Sequence, residues 1–173
     1  YYNAAQGAYS NAFGVAGWAG GAGSLAVSAW TDLDGDGAID ANETATAQGT
    51  GAVAIGSGLA QSQFSSAVGV DNRVTGSRGS AFGYENRAWE GSSAFGFGNN
   101  ASDLNNSAFG YRNTTASEYS SAFGYNGHAL GQGSVVVSGW FDRDGNNVVT
   151  LDLDLDNDGI FESSSETSRA TGR

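Results

Sequence analysis

The chain has 173 residues, 28 of them glycine, with no proline, cysteine or methionine and a net charge of −11. That charge argues against a nucleic-acid surface, which needs basic patches, and all seven basic residues are arginines. Without cysteine there is no disulfide framework or thiol chemistry. Large aliphatic residues are too few for an ordinary globular core, and no apolar run approaches the ~18 residues that cross a bilayer.

The chain opens on Tyr1-Tyr2 with no signal peptide, which reads as a mature or excised piece. A small pair, Ala-x-Gly, then recurs. It appears as Ala12/Gly14, Ala54/Gly56, Ala67/Gly69, Ala81/Gly83, Ala94/Gly96, Ala108/Gly110 and Ala122/Gly124, with degenerate copies Ala26/Ser28 and Val136/Ser138. From Gly56 onward the steps are 13, 14, 13, 14, 14 and 14 residues. A fixed short period of this kind marks a solenoid, in which each turn buries against its neighbours what it cannot bury alone.

Within a turn, Ser80-Ala81-Phe82-Gly83-Tyr84 alternates with the period of a strand. Ser80, Phe82 and Tyr84 share one face; Ala81 and Gly83 share the other. Stacked turns bring Phe82, Phe95, Phe109 and Phe123 into a ladder that Ile55, Val68 and Val137 extend. This ladder reads as core packing rather than a carbohydrate-binding stripe. The Ala/Gly face lets a second backbone layer approach closely. Each strand is followed by Asp71-Asn72-Arg73, Glu85-Asn86-Arg87, Asn99-Asn100, Arg112-Asn113 or Asn126-Gly127. Asparagine and glycine tolerate left-handed backbone, so these segments are expected as corners. A second short strand is expected near Val74, Ala88, Ala101, Thr115 and Ala129.

Two acidic segments interrupt the repeat, dividing the chain into roll turns 1–30, an insertion 31–49, roll turns 50–140 and a second insertion 141–173. They hold 13 of the 18 acidic residues, so the charge belongs to the insertions and the roll is nearly neutral. The first matches a 12-residue calcium loop at its diagnostic positions. Asp32, Asp34 and Asp36 supply oxygens, Gly37 permits the bend, Ala38 offers a carbonyl, Asp40 follows, and Glu43 can bind bidentate. Its flanks are not amphipathic helices, so a structural Ca2+ loop between strands fits better than a helix-loop-helix sensor. In the second insertion Asp142, Asp144 and Asn146 make a partial loop. Asp154, Asp156, Asp158, Ile160 and Glu162 make a fuller one, although its last position is Ser165. Ser28-Ala29-Trp30 and Ser138-Gly139-Trp140 are parallel exits from the roll. Residues 45–49 and 169–173 look like parallel returns, so a further turn is expected after Arg173.

The pattern Ser-x-Ala-x-Gly-x-x-Asn-x-Ala, repeated every 14 residues from about Ala8 to Trp140, resembles the head domains of YadA-like trimeric autotransporter adhesins. The resemblance implies an all-β, left-handed parallel β-roll, a homotrimer around a threefold axis, and display on the bacterial surface. The outer-membrane anchor would lie outside this chain. Phe82, Phe95, Phe109 and Phe123 stand where the family's repeats usually carry Ile or Val. The function it implies is non-enzymatic attachment to extracellular matrix protein, cell-surface glycan or an abiotic surface. Two other classes remain: a structural filament or phage-fibre subunit, and a polysaccharide-active solenoid enzyme. Against an enzyme, His128 is the only histidine and falls at a repeat corner, with no nucleophile and orienting acid evident around it. The Gly96-Phe97-Gly98 run superficially matches a dinucleotide fingerprint, but no helical pattern follows it.

Overall fold

The computed structural model describes residues 2–139 and the strand Arg169–Ala170. Among them there is no helix; every strand pairs in parallel with the equivalent strand one turn away, giving a β-solenoid of about ten turns. The fold expected from the repeat is therefore the fold observed.

Two ladders make the roll. The long one runs through Asn11–Gly14, Leu25–Ser28, Val53–Ala60, Ser66–Val74, Ser80–Tyr84, Ser93–Phe97, Ser107–Tyr111, Ser121–Tyr125 and Val135–Ser138. Its register places Ala on Ala and Gly on Gly, for example Ala94 between Ala81 and Ala108. The short ladder includes Trp18–Ala19, Thr46–Ala47, Arg87–Ala88, Asn100–Ala101, Thr114–Thr115, His128–Ala129 and Arg169–Ala170. These are the second strands expected after each corner. Thr46–Ala47 follows Trp18–Ala19, and Arg169–Ala170 follows His128–Ala129. Both acidic insertions therefore leave the roll after a long strand and return at the next short one.

The interior is alanine. Ala81, Ala94, Ala108 and Ala122 of the long strands, and Ala101 and Ala129 of the short ones, are wholly buried. This corrects the expectation that the phenylalanine ladder is the core. Phe82, Phe95 and Phe109 are only half-buried on the outer face, and Phe123 is 38% exposed. A turn of 13 or 14 residues encloses a cross-section too thin for a ring, so the methyl groups go in and the rings go out. Outside, the rings still stack. Centroids lie 4.7 Å apart for Phe82–Phe95, 5.0 Å for Phe95–Phe109 and 5.5 Å for Phe109–Phe123. A second row, Tyr84, Phe97, Tyr111 and Tyr125, stacks beside it at 4.9 to 5.2 Å.

The glycine of the signature has a backbone reason. Gly96 has φ 119°, and a Cβ there would run into the Gly110 carbonyl of the next turn. That conformation and that approach are open only to glycine.

The corners differ from expectation in one respect. At four of them the left-handed residue is Asp71, Glu85, Gly98 or Arg112, one position before the asparagine, whereas at Asn126 the asparagine itself is left-handed as expected. Asn72, Asn86, Asn99 and Asn113 are instead buried and form a ladder of their own. Asn99 Nδ2 donates to Asn86 Oδ1 at 3.0 Å, to the Phe95 carbonyl at 2.9 Å and to the Gly110 carbonyl at 2.7 Å. Its Oδ1 accepts the Asn113 backbone N–H and Nδ2, each at 3.0 Å. Every polar atom of the side chain is thereby satisfied without water, as burial demands.

Candidate metal centre

The first insertion carries the most specific chemistry. It leaves the roll after Ser28 and returns at Thr46, and its base is pinned by the Ser28 hydroxyl, which accepts the Ala45 N–H at 3.0 Å. Between these points the loop contributes no large buried apolar side chain; it is shaped by its own carboxylates. Asp32 accepts the backbone N–H groups of Gly35 at 2.7 Å and Gly37 at 3.1 Å. Asp34 accepts that of Asp36 at 3.2 Å, and Asp36 that of Ala38 at 2.7 Å. Gly37 bends the chain at φ 72°.

The result is convergence. One oxygen from each of Asp32, Asp34 and Asp36 lies within 4.8 Å of the other two, and all three residues are exposed. Oxygens at the 2.3–2.6 Å radius of a calcium ion stand about 5 Å apart or less, so one hard cation fits among the three. The Asp36 backbone N–H favours the charged form of Asp34. Desolvation and the negative charges of Asp36, Glu43 and Asp40 outweigh that bond and hold its carboxyl above the usual aspartate value.

Glu43 takes a different place from the one its loop position suggests. It is 1% exposed, and its oxygens face protein donors. Oε1 accepts the Leu33 N–H at 2.6 Å; Oε2 accepts the Asp40 N–H at 3.1 Å and the Trp30 indole N–H at 3.0 Å. The Leu33 and Asp40 amides, with the Trp30 indole, draw its carboxyl below the usual glutamate value against the cost of burial. In this geometry Glu43 clasps the two ends of the loop together, and the cluster of three does not include Asp40 or Glu43. Asp32, Asp34 and Asp36 would hold a cation directly. The Ala38 carbonyl and the exposed Asp40 lie on the same loop as the remaining sequence-expected ligands.

The Glu43–Trp30 clasp was not read from the sequence. The signal for it was present: each insertion begins one residue after a tryptophan. The second set of expected ligands, Asp142, Asp144, Asn146, Asp154, Asp156, Asp158, Ile160 and Glu162, lies outside the described residues.

No helix among the described residues is long and apolar enough to cross a membrane. Neither protein-family models nor curated proteins give a match to this chain.

Proposed function

We propose that this chain is a non-enzymatic head segment of a bacterial surface adhesin, a trimeric roll whose acidic insertions are ordered by Ca2+. The observation that carries the reading is the outer apolar face. Phe13, Val27, Ile55, Val68, Phe82, Phe95, Phe109, Phe123 and Val137 stand in register along the whole described roll. Phe13 is 56% and Val137 78% exposed. Soluble monomers seldom leave a contiguous apolar patch larger than a few hundred Å2. A cover for such a face must repeat with the same spacing, and other copies of the same chain do so. Closed threefold packing would bury the row on every copy and leave no open end laterally.

A stiff trimer then presents three copies of each remaining face. Contacts that are weak singly become strong together, without a deep pocket. Extracellular matrix protein, a cell-surface glycan or an abiotic surface are the partners this mode suits. Calcium would couple the order of the insertions to the extracellular environment, because a ligand bound only by the ordered state stabilises that state.

Adhesion is the test. Beads coated with the chain should adhere to matrix-coated, cell-coated or plain polymer surfaces in calcium-containing buffer, and less well after chelation. Adhesion no better than that of inert-protein beads on all three surfaces would defeat the adhesin reading, leaving a structural filament or phage-fibre subunit.

A further inference from the structure

The face of the roll formed by the short strands differs from the face formed by the long ones. Its outward column reads Arg73, Arg87, Asn100, Thr114 and His128 in register. Two positions beyond Arg87 is Trp89, 48% exposed, tied to the next turn by its N–H to the Ala101 carbonyl at 3.0 Å. Beside them lies a groove of about 400 Å3 lined by Arg73, Arg87, Trp89, Asn100, Thr75 and Ser102, among others.

Three properties set this groove apart. First, no carboxylate lines it. Second, Arg73 and Arg87 are exposed and stacked one turn apart. Neighbouring strands lie about 4.7–4.9 Å apart, and like charges directly opposite each other repel unless an anion comes between them. Asp71 and Glu85 line an adjoining depression that shares Arg87 and Asn100; Asp71 is close enough to attract both arginines and offsets part of this repulsion without entering the groove. Third, besides Ala88 and Ala101 the remaining lining residues bring an indole, an amide and two hydroxyls, none of which repels a polyol.

We propose that this groove binds the carboxylated sugar unit of an acidic glycan. The guanidiniums of Arg73 and Arg87 pair with its carboxylate, Arg being suited to bidentate contact. The indole of Trp89 packs against the apolar face of the ring, and Asn100, Thr75 and Ser102 face its hydroxyls. The volume lies at the lower end of small-ligand sites, which suits one or two sugar units rather than a deeply held ligand. The site deepens the adhesin reading and rests on it for its purpose: shallow, weak and repeated on each copy.

Tetragalacturonic acid is the probe, titrated into the calcium-loaded chain and followed by isothermal titration calorimetry. Cellotetraose serves as the neutral sugar and a hexaglutamate peptide as the non-sugar polyanion. The expected result is a saturable binding heat with a Kd below about 1 mM, weakened at least about tenfold by Arg87→Gln or Trp89→Ala and less by Arg87→Lys. Both side chains are exposed, so an unchanged melting curve checks that each variant folds. Calcium-mediated binding at the acidic loop would survive all three substitutions and would overturn the proposal. So would equal affinity for cellotetraose, equal affinity for hexaglutamate, or no saturable signal. Failure here in a chain that still forms trimers would remove the glycan site and leave the adhesin reading standing.

Discussion

The roll and its first acidic insertion are built on opposite terms. In the roll, the buried asparagines meet partners from the next turn, and wholly buried alanines fill the space between the two strand layers. The insertion has no comparable interior. Its Asp32, Asp34 and Asp36 are exposed and converge, and its only fully buried carboxylate is Glu43, which closes the base. A repeat can hold itself, because each turn supplies its neighbour's missing hydrogen bonds. A loop of converging like charges stays closed well only when a counter-ion joins it.

That contrast is open to measurement. The largest effect should come from paired glycine substitutions. Gly96→Ala forces a Cβ into the Gly110 carbonyl at φ 119°, whereas Gly35→Ala, at φ 78°, meets open space. Denaturant unfolding should show the first costing more than about 3 kcal/mol. The second should cost about 1–2 kcal/mol, the penalty for left-handed backbone alone. Equal costs would deny that the roll is the more tightly specified region.

Next in size is Asn99→Ala. It strips partners from the carbonyls of Phe95 and Gly110 and from the Asn113 N–H. The expected loss is about 2–3 kcal/mol, since buried groups left unpaired keep their full desolvation cost. A loss below 1 kcal/mol, on the same scale of magnitudes, would mean that water replaces the ladder.

Calcium should act on the insertion and spare the roll. At a hundredfold excess over its Kd, the ion adds about 2.7 kcal/mol to whatever opening it opposes. Chelation should accelerate proteolysis between Asp32 and Glu43, and Asp34→Asn should abolish the difference. Cleavage indifferent to chelator would count against the assignment.

The smallest effect is on pH. Glu43 is depressed in the folded loop, so its contribution is present above the ordinary glutamate value of 4.5 and disappears as pH falls through its lower folded value. Asp34 is raised, so a proton competes with calcium there at higher pH than at an ordinary aspartate. Calcium affinity should thus begin to weaken on acidification before the loop base loosens; the reverse order, followed by calorimetric titration and loop proteolysis, would contradict the assigned roles.

The period, both strand ladders, their register and the triad Asp32, Asp34 and Asp36 could be read from residue order alone, because each is a spacing. What could not be read depended on cross-section. Alternation of Phe with Ala says that a strand has two faces, and hydropathy alone would turn the rings inward. Only the narrow space between the long and short strands reverses that choice. The asparagine ladder was hidden by its own chemistry, since Asn is equally at home in a left-handed corner. A clue lay in the corner itself: Asn72, Asn86, Asn99 and Asn113 recur, while the residue before them varies through Asp, Glu, Gly and Arg. The Glu43 clasp was masked because a calcium-loop pattern already accounted for that carboxylate.

The central claim is that the row from Phe13 to Val137 is an interface between copies of this chain. Analytical ultracentrifugation of the chain at micromolar concentration in calcium tests it directly. The account predicts a single trimeric species that Phe95→Ser with Phe109→Ser dissociates without unfolding the monomer. A clean monomer for the unaltered chain would contradict it.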